Sequence, residues 1–181
     1  MTPDVDLLEE LARHVEECEL GVRICGDCRT ARDVDTQSAI TRARSEHELH
    51  RVWLQRHPGV CIYCGESADH RDHLVPINWT GPIARMFVPM VPACGDCNRR
   101  INDALVQTIA GRSEVVASSL RRKYGKQLSI PDRDEDWFAE FNPRMAANLR
   151  AAQGNRRLLR LRLAVLDMGG AVNDPAIEMA A

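Results

Sequence analysis

Two Cys-x-x-Cys pairs, Cys61-Ile-Tyr-Cys64 and Cys94-Gly-Asp-Cys97, are separated by 29 residues and constrain this chain more than any other feature. Paired knuckles of this kind can place four thiolates tetrahedrally around one zinc ion at about 2.3 Å, leaving no open coordination position. A closed site is structural, because the metal then replaces part of the hydrophobic core that a short segment lacks. Redox chemistry is the rival reading, but a thioredoxin-like pair needs a βαβ setting and none is legible here. Three further cysteines, Cys18, Cys25 and Cys28, bring the total to seven, and six of the seven fall in C-x-x-C pairs. The acidic start MTPDVDLLEELARHVEE lacks a basic segment followed by an apolar one, so export and disulfides are not expected.

Length and composition set the frame for that metal. The 181 residues suffice for one compact domain, or for a small core with helical extensions. Apolar residues make up 44 % and aromatics only 4 %, so the core must be mostly aliphatic. No stretch approaches the ~20 apolar residues of a membrane span, and a cytoplasmic protein with no membrane partner is expected. The net charge of −2 hides a gradient. Residues 1–50 carry 12 acidic against 6 basic groups, residues 51–98 carry 4 of each, and residues 99–181 carry 10 against 14. A C-terminal half facing phosphates fits this asymmetry, and so do ordinary solvated helix faces.

Helical spacing of Val5, Leu8, Leu11, Ala12 and Val15 predicts a helix over 4–19, and a second is expected over 36–55 before Pro58-Gly59. The stretch from Cys61 to Cys97 differs: it is rich in Pro and Gly, and MFVPMV reads as part of a β-hairpin. A helix is expected from Asp96 to near Gly111, another over 113–123 turning at Gly125, and a broken helical tail over 132–168 interrupted at Asn142-Pro143. The last dozen residues are expected to fray. The predicted organisation is a helical extension over 1–57, a core over 58–111 and a second helical extension over 112–181.

Between the knuckles lies His70-Arg71-Asp72-His73-Leu74-Val75-Pro76, and Asn98 directly follows Cys97. CIYC, DHLVP and VPACGDCNRR, in that order, resemble the HNH nucleases of the ββα-metal (His-Me finger) fold over residues 58–106. Three ordered elements are far more specific than any one of them. The resemblance implies an α+β fold, a zinc-stapled ββα-metal core flanked by helices. It also implies an endonuclease acting on DNA with Mg²⁺ or Mn²⁺, leaving 5′-phosphate and 3′-hydroxyl ends. His73 would be the general base, for which an imidazole titrating near neutrality is suited. Asp72 and Asn98 would supply oxygen ligands to the catalytic cation. Arg99 and Arg100 would grip flanking phosphates, or simply face solvent. His70 reads as a surface histidine, with substrate contact as the alternative. Adjacent strand residues point to opposite sides, so Asp72 and His73 can serve one site only if the strand bends.

Two positions depart from the family pattern. Pro89 stands about where an asparagine usually orients the catalytic loop, and Ile101 stands where the helix often carries a lysine. Outside the resemblance, Cys25 and Cys28 need partners to bind a second zinc. His14 and Cys18, four apart on one helix face, are candidates, and His47 with His50 are rivals. The run Arg156-Arg157-Leu158-Leu159-Arg160-Leu161-Arg162-Leu163 reads as an amphipathic helix with buried leucines and solvated arginines, or else as a DNA-gripping helix. A non-catalytic zinc-knuckle protein for DNA binding, packaging or assembly is the alternative function. By analogy with small phage and mobile-element nucleases, a host-cell cytoplasm, a phage packaging partner or a homodimer through the terminal helices is expected.

Overall fold

The computed structural model describes residues 34–78, 80 and 88–178. Helices α1 (Val34–Leu49) and α2 (Arg51–Arg56) occupy the segment expected to be helical before Pro58. Strands β1 (His70–His73) and β2 (Met90–Ala93) follow, then α3 (Gly95–Ile101), α4 (Ile109–Leu128), α5 (Glu135–Ala139) and α6 (Pro143–Asp167). A 3₁₀ turn (Ala171–Asn173) leads into a short α7 (Pro175–Glu178). The fold is thus a mixed, mainly helical one with a two-stranded sheet, compatible with α+β. Among the described residues no helix is long and apolar enough to cross a membrane.

The strands pair antiparallel, with Asp72 opposite Val91 and His73 opposite Met90. Alternation puts Val91 and Ala93 into the core while Met90 faces out, as the period of two demands. α3 lies against β1, and α4 packs on both α3 and α6. The buried stripe of α4, comprising Ile109, Arg112, Ser113, Val116, Ala117 and Leu120, recurs at helical spacing. It meets a core made of the knuckle residues, Leu74, Val75, Val91, Ile101, Leu163 and Leu166.

The helix expected from 96 to 111 is corrected to two elements. α3 stops at Ile101, where Asn102 takes φ +43° and breaks the hydrogen-bond ladder. α4 begins at Ile109 because Thr108 caps it, its hydroxyl accepting from the Gly111 N–H at 3.2 Å. Gly111 is therefore a close-approach glycine in a first turn, not a stop. A Cβ there would sit 2.5 Å from Val106 Cγ1 and 2.8 Å from Thr108 Oγ1. The expected turn at Gly125 is likewise absorbed, since α4 runs on to Leu128. Asn142 and Pro143 do interrupt the tail, as the start of α6: Asn142 accepts from the Met145 N–H and Pro143 supplies a preset first turn.

The chain end does not fray through residues 171–178. Ala171 is fully buried and its N–H donates to the Ile62 carbonyl at 2.8 Å. Ile177 reaches Gly65, which adopts φ +78°, and a Cβ there would sit 2.7 Å from Ile177 Cδ1. The C-terminal segment is thereby fastened over the first of the two knuckles that hold the cysteine cluster.

Candidate metal centre and active-site cleft

Cys61 and Cys64 flank a tight turn in which the Gly65 N–H donates to the Cys61 carbonyl at 2.9 Å. Cys94 is the N-cap of α3, and its sulfur accepts from the Cys97 N–H at 3.4 Å. One residue thus serves as both helix cap and candidate ligand. All four cysteines are buried and reduced, with their sulfurs within 4.8 Å of one another. The Cys64 and Cys94 sulfurs are 3.7 Å apart. Tetrahedral zinc with bonds of about 2.3 Å requires sulfurs about 3.8 Å apart, so the cluster is positioned to bind a metal ion and its spacing suits zinc.

The same closeness couples the four thiols to one another. Hydrogen bonds from Cys61, then Cys64 and Cys97, hold the Cys94 thiol far below its ordinary value. The same crowding, led by Cys61, pushes Cys97 and Cys64 up. Protons shared among four sulfurs are what a cation would replace. Arg162, from α6, donates through Nη2 to Cys97 Sγ at 3.1 Å and Cys94 Sγ at 3.7 Å. Burial opposes the charge on Arg162, but the Cys97 sulfur overcomes this and raises its pKa.

On the other side of the hairpin and α3 lies an open cleft of about 500 Å³, and Asp72, His73, Asn98 and Arg99 all line it. Asp72 and His73 come from the end of β1, Asn98 and Arg99 from α3. Arg99 is exposed, Asn98 and His73 are half-buried, and Asp72 is buried. The structure therefore gathers the three residues expected to carry chemistry onto one surface. Pro89 takes part through its backbone, its carbonyl accepting from the Leu74 N–H at 3.1 Å just beyond His73. Ile101 is in the core, where a lysine could not sit without losing its charge or its solvent.

Asp72 is held more firmly than its position in the motif suggests. Its Oδ2 accepts from the Tyr63 hydroxyl at 2.5 Å and from Arg112 Nη1 at 2.5 Å. Arg112 is fully buried, and it also donates to the Leu74 carbonyl at 2.7 Å and the Val106 carbonyl at 2.5 Å. The guanidinium fork thus ties together the end of β1, the α3–α4 loop and the candidate ligand. Burial, and then the charge of Asp72, push the Tyr63 phenol well above its ordinary pKa, so it remains a proton donor.

The remaining expectations are met unevenly. Arg100 does not line the cleft. It turns toward α4, binding Asp96 through Nε at 3.0 Å and Ser119 through Nη1 at 3.1 Å. His70 is exposed at the cleft rim, with Nδ1 3.0 Å from Asp69, whose Oδ1 also accepts from the first N–H of α3 at Gly95, 2.8 Å away. The tail is reversed in part: Leu158 and Leu161 are exposed, while Arg162 is drawn to the sulfur cluster. His50 lies 3.5 Å from Glu46, and burial lowers the pKa of His47. Cys25 and Cys28, with His14 and Cys18, lie outside the described residues.

Sequence reasoning missed Tyr63, Arg112 and Arg162. For Arg112 a signal existed, because it falls on the apolar stripe of α4 where an unpaired arginine could not be buried. Tyr63 lies inside a knuckle, where only the cysteines draw notice, and Arg162 sits among arginines it does not outwardly differ from. Comparison with family models, with curated proteins and with solved structures returns no match for this chain.

Proposed function

We propose that this chain is a divalent-metal-dependent endonuclease acting on DNA, built on a zinc-stapled ββα-metal core of the HNH type. The observation that carries this reading is the meeting of Asp72, His73 and Asn98 in one open cleft beside a closed cluster of four cysteines. Zinc held by Cys61, Cys64, Cys94 and Cys97 fixes the start of α3 against the hairpin, and so fixes Asn98 relative to Asp72. Asp72 and Asn98 offer hard oxygen donors suited to Mg²⁺ or Mn²⁺. Such a cation, when bound, would stabilise charge on the phosphate and on the leaving 3′ oxygen. With its Oδ2 held by Tyr63 and Arg112, Asp72 has Oδ1 left for that task. His73 takes the proton of the attacking water, and Arg99, exposed at the same cleft, steadies a flanking phosphate.

One observation favours a second reading, a non-catalytic zinc-knuckle protein that binds DNA. The charge of Asp72 is already matched by the buried Arg112, which weakens its call on a cation. Plasmid cleavage separates the two readings. The zinc-loaded protein is expected to nick or linearise DNA in Mg²⁺ or Mn²⁺, and His73→Ala is expected to keep its zinc and lose about 100-fold or more in rate. Equal cutting by both proteins defeats the assignment of His73. DNA binding with no cutting by either supports the binding protein.

A further inference from the structure

A second pocket, of about 580 Å³, opens between α3, α4 and α6, and it does not share lining residues with the cleft. Its volume falls in the range of small-molecule sites, roughly 300–1,000 Å³. Leu120 and Leu159 form apolar wall, Tyr124 adds an aromatic ring, and Arg100, Arg156 and Arg162 bring three guanidinium groups. Two of the three are committed. Arg100 and Arg162 share Asp96, at 3.0 and 2.9 Å, and Arg162 also serves the cysteine sulfurs.

Arg156 is different. Its Nε–H is enclosed and has no hydrogen-bond partner, and the side chain makes no ion pair among the described residues. The Arg162 Nε–H, on the same pocket wall, is enclosed and unpartnered as well. An orphaned donor is costly, and among the described residues the Arg156 guanidinium is bonded to no acceptor, which leaves it for an anion in the pocket. Among the described residues, the one carboxylate on the wall, Asp96, is already shared by two arginines.

We propose that this pocket binds a nucleotide, its phosphate on Arg156 and its base against Tyr124 and Leu159. A phosphate offers the multiple charged oxygens that an arginine fork recognises, and a base offers a flat face for an aromatic ring. Asn155 and Gln127, also on the wall, are placed to meet base edges. The nucleotide is either free or one unit of a strand, and the strand form rests on the nuclease reading given above.

Two ligands resolve the source: 5′-thymidine monophosphate by calorimetry, and a labelled 12-nucleotide single strand by anisotropy. Both are measured without Mg²⁺ on the zinc-loaded chain. Arg156→Gln removes the charge and keeps a polar end, and Ala152→Trp, one helical turn before Arg156, fills the exposed rim of the pocket while every arginine is retained. If the site takes a free nucleotide, the monophosphate binds and both variants weaken it about tenfold or more. If the site takes a strand, only the oligonucleotide binds, both variants weaken it, and Arg156→Gln lowers its salt slope by about one. Unchanged zinc content and melting temperature show that each variant is folded. If neither variant alters either ligand's affinity, or neither ligand binds, the proposal is overturned. Absence of DNA cleavage by the unmodified protein removes the nuclease reading but leaves the monophosphate arm standing.

Discussion

The two sides of α3 are built on opposite principles. Toward α6, Cys94 and Cys97 complete a buried, all-sulfur cluster with Arg162 against it. Toward the cleft, Asn98 and Arg99 stand with Asp72 and His73 in an open space of oxygen and nitrogen donors. A closed set of soft ligands holds a metal and keeps water out, while an open set of hard ligands leaves room for substrate. The contrast teaches that the helix is a lever: what is fixed at its sulfur end sets positions at its oxygen end. Asp72 is the exception that links the sides, facing the cleft yet anchored in the core through Tyr63 and Arg112.

The largest effect should come from the sulfur side. Structural zinc sites contribute about 10–16 kcal/mol of apparent binding energy, as much as the whole stability of a domain at about 5–15 kcal/mol. Cys97→Ser, or zinc removal by a chelator, should therefore abolish the cooperative melting transition and the helical signal of the core. Metal analysis with circular dichroism checks this. A Cys97→Ser protein that lacks zinc and still melts cooperatively near the unmodified temperature would sink the idea that this cluster staples the fold.

Next comes the link between the sides. Arg112→Met strands the Asp72 carboxylate in the core, and removing one partner of a buried pair costs about 3–5 kcal/mol. Tyr63→Phe removes one hydrogen bond to the same oxygen and should cost about 1–2 kcal/mol. Urea titration gives both numbers. Replacing the pair together, Arg112→Met with Asp72→Leu, should recover most of the single-variant loss, since a matched apolar pair of similar volume is tolerated. Failure to recover would mean that the bonds of Arg112 to Leu74 and Val106, not the ion pair, dominate. His73→Ala on the cleft side should move stability by less than about 1 kcal/mol, because His73 is only half-buried at the end of its strand.

How much of this was legible in the sequence follows from which interactions are local. Cys61, Cys64, Cys94 and Cys97 announce themselves because ligand geometry demands a fixed two-residue gap. Asn142-Pro143 marks the start of α6 because capping acts within one turn. The break between α3 and α4 was hidden, since Asn102 is read as a helix residue until its backbone is known, and Gly111 looks like a stop. Arg112 and Tyr63 meet Asp72 across 40 and 9 residues, and only the folded chain brings them together. Arg162 defeated the rule that leucines go inward and arginines outward, because its partners Cys94, Cys97 and Asp96 lie more than 60 residues away and only the folded chain brings them to it.

An effect of similarly small size, but of opposite sign, lies at the seam between the two sides. Asn102 ends α3 with φ +43° and ψ −119°, a region that glycine occupies readily and a side chain does not, and it lines the cleft. Backbone strain of this kind costs about 1–3 kcal/mol and persists where the surroundings enforce it. Asn102→Gly should therefore raise stability by up to about 1 kcal/mol, the relief of strain being offset in part by the greater freedom of glycine in the unfolded chain. A urea titration measures that gain, and a loss in its place would show that the Asn102 side chain makes a contact worth more than its strain. Cleavage by the same variant sharpens the comparison further. Stability gained with the cutting rate unchanged assigns Asn102 to the turn alone. Stability gained with the rate reduced assigns its amide to the cleft, and the strain is then held in place by the same helix end that carries Asn98.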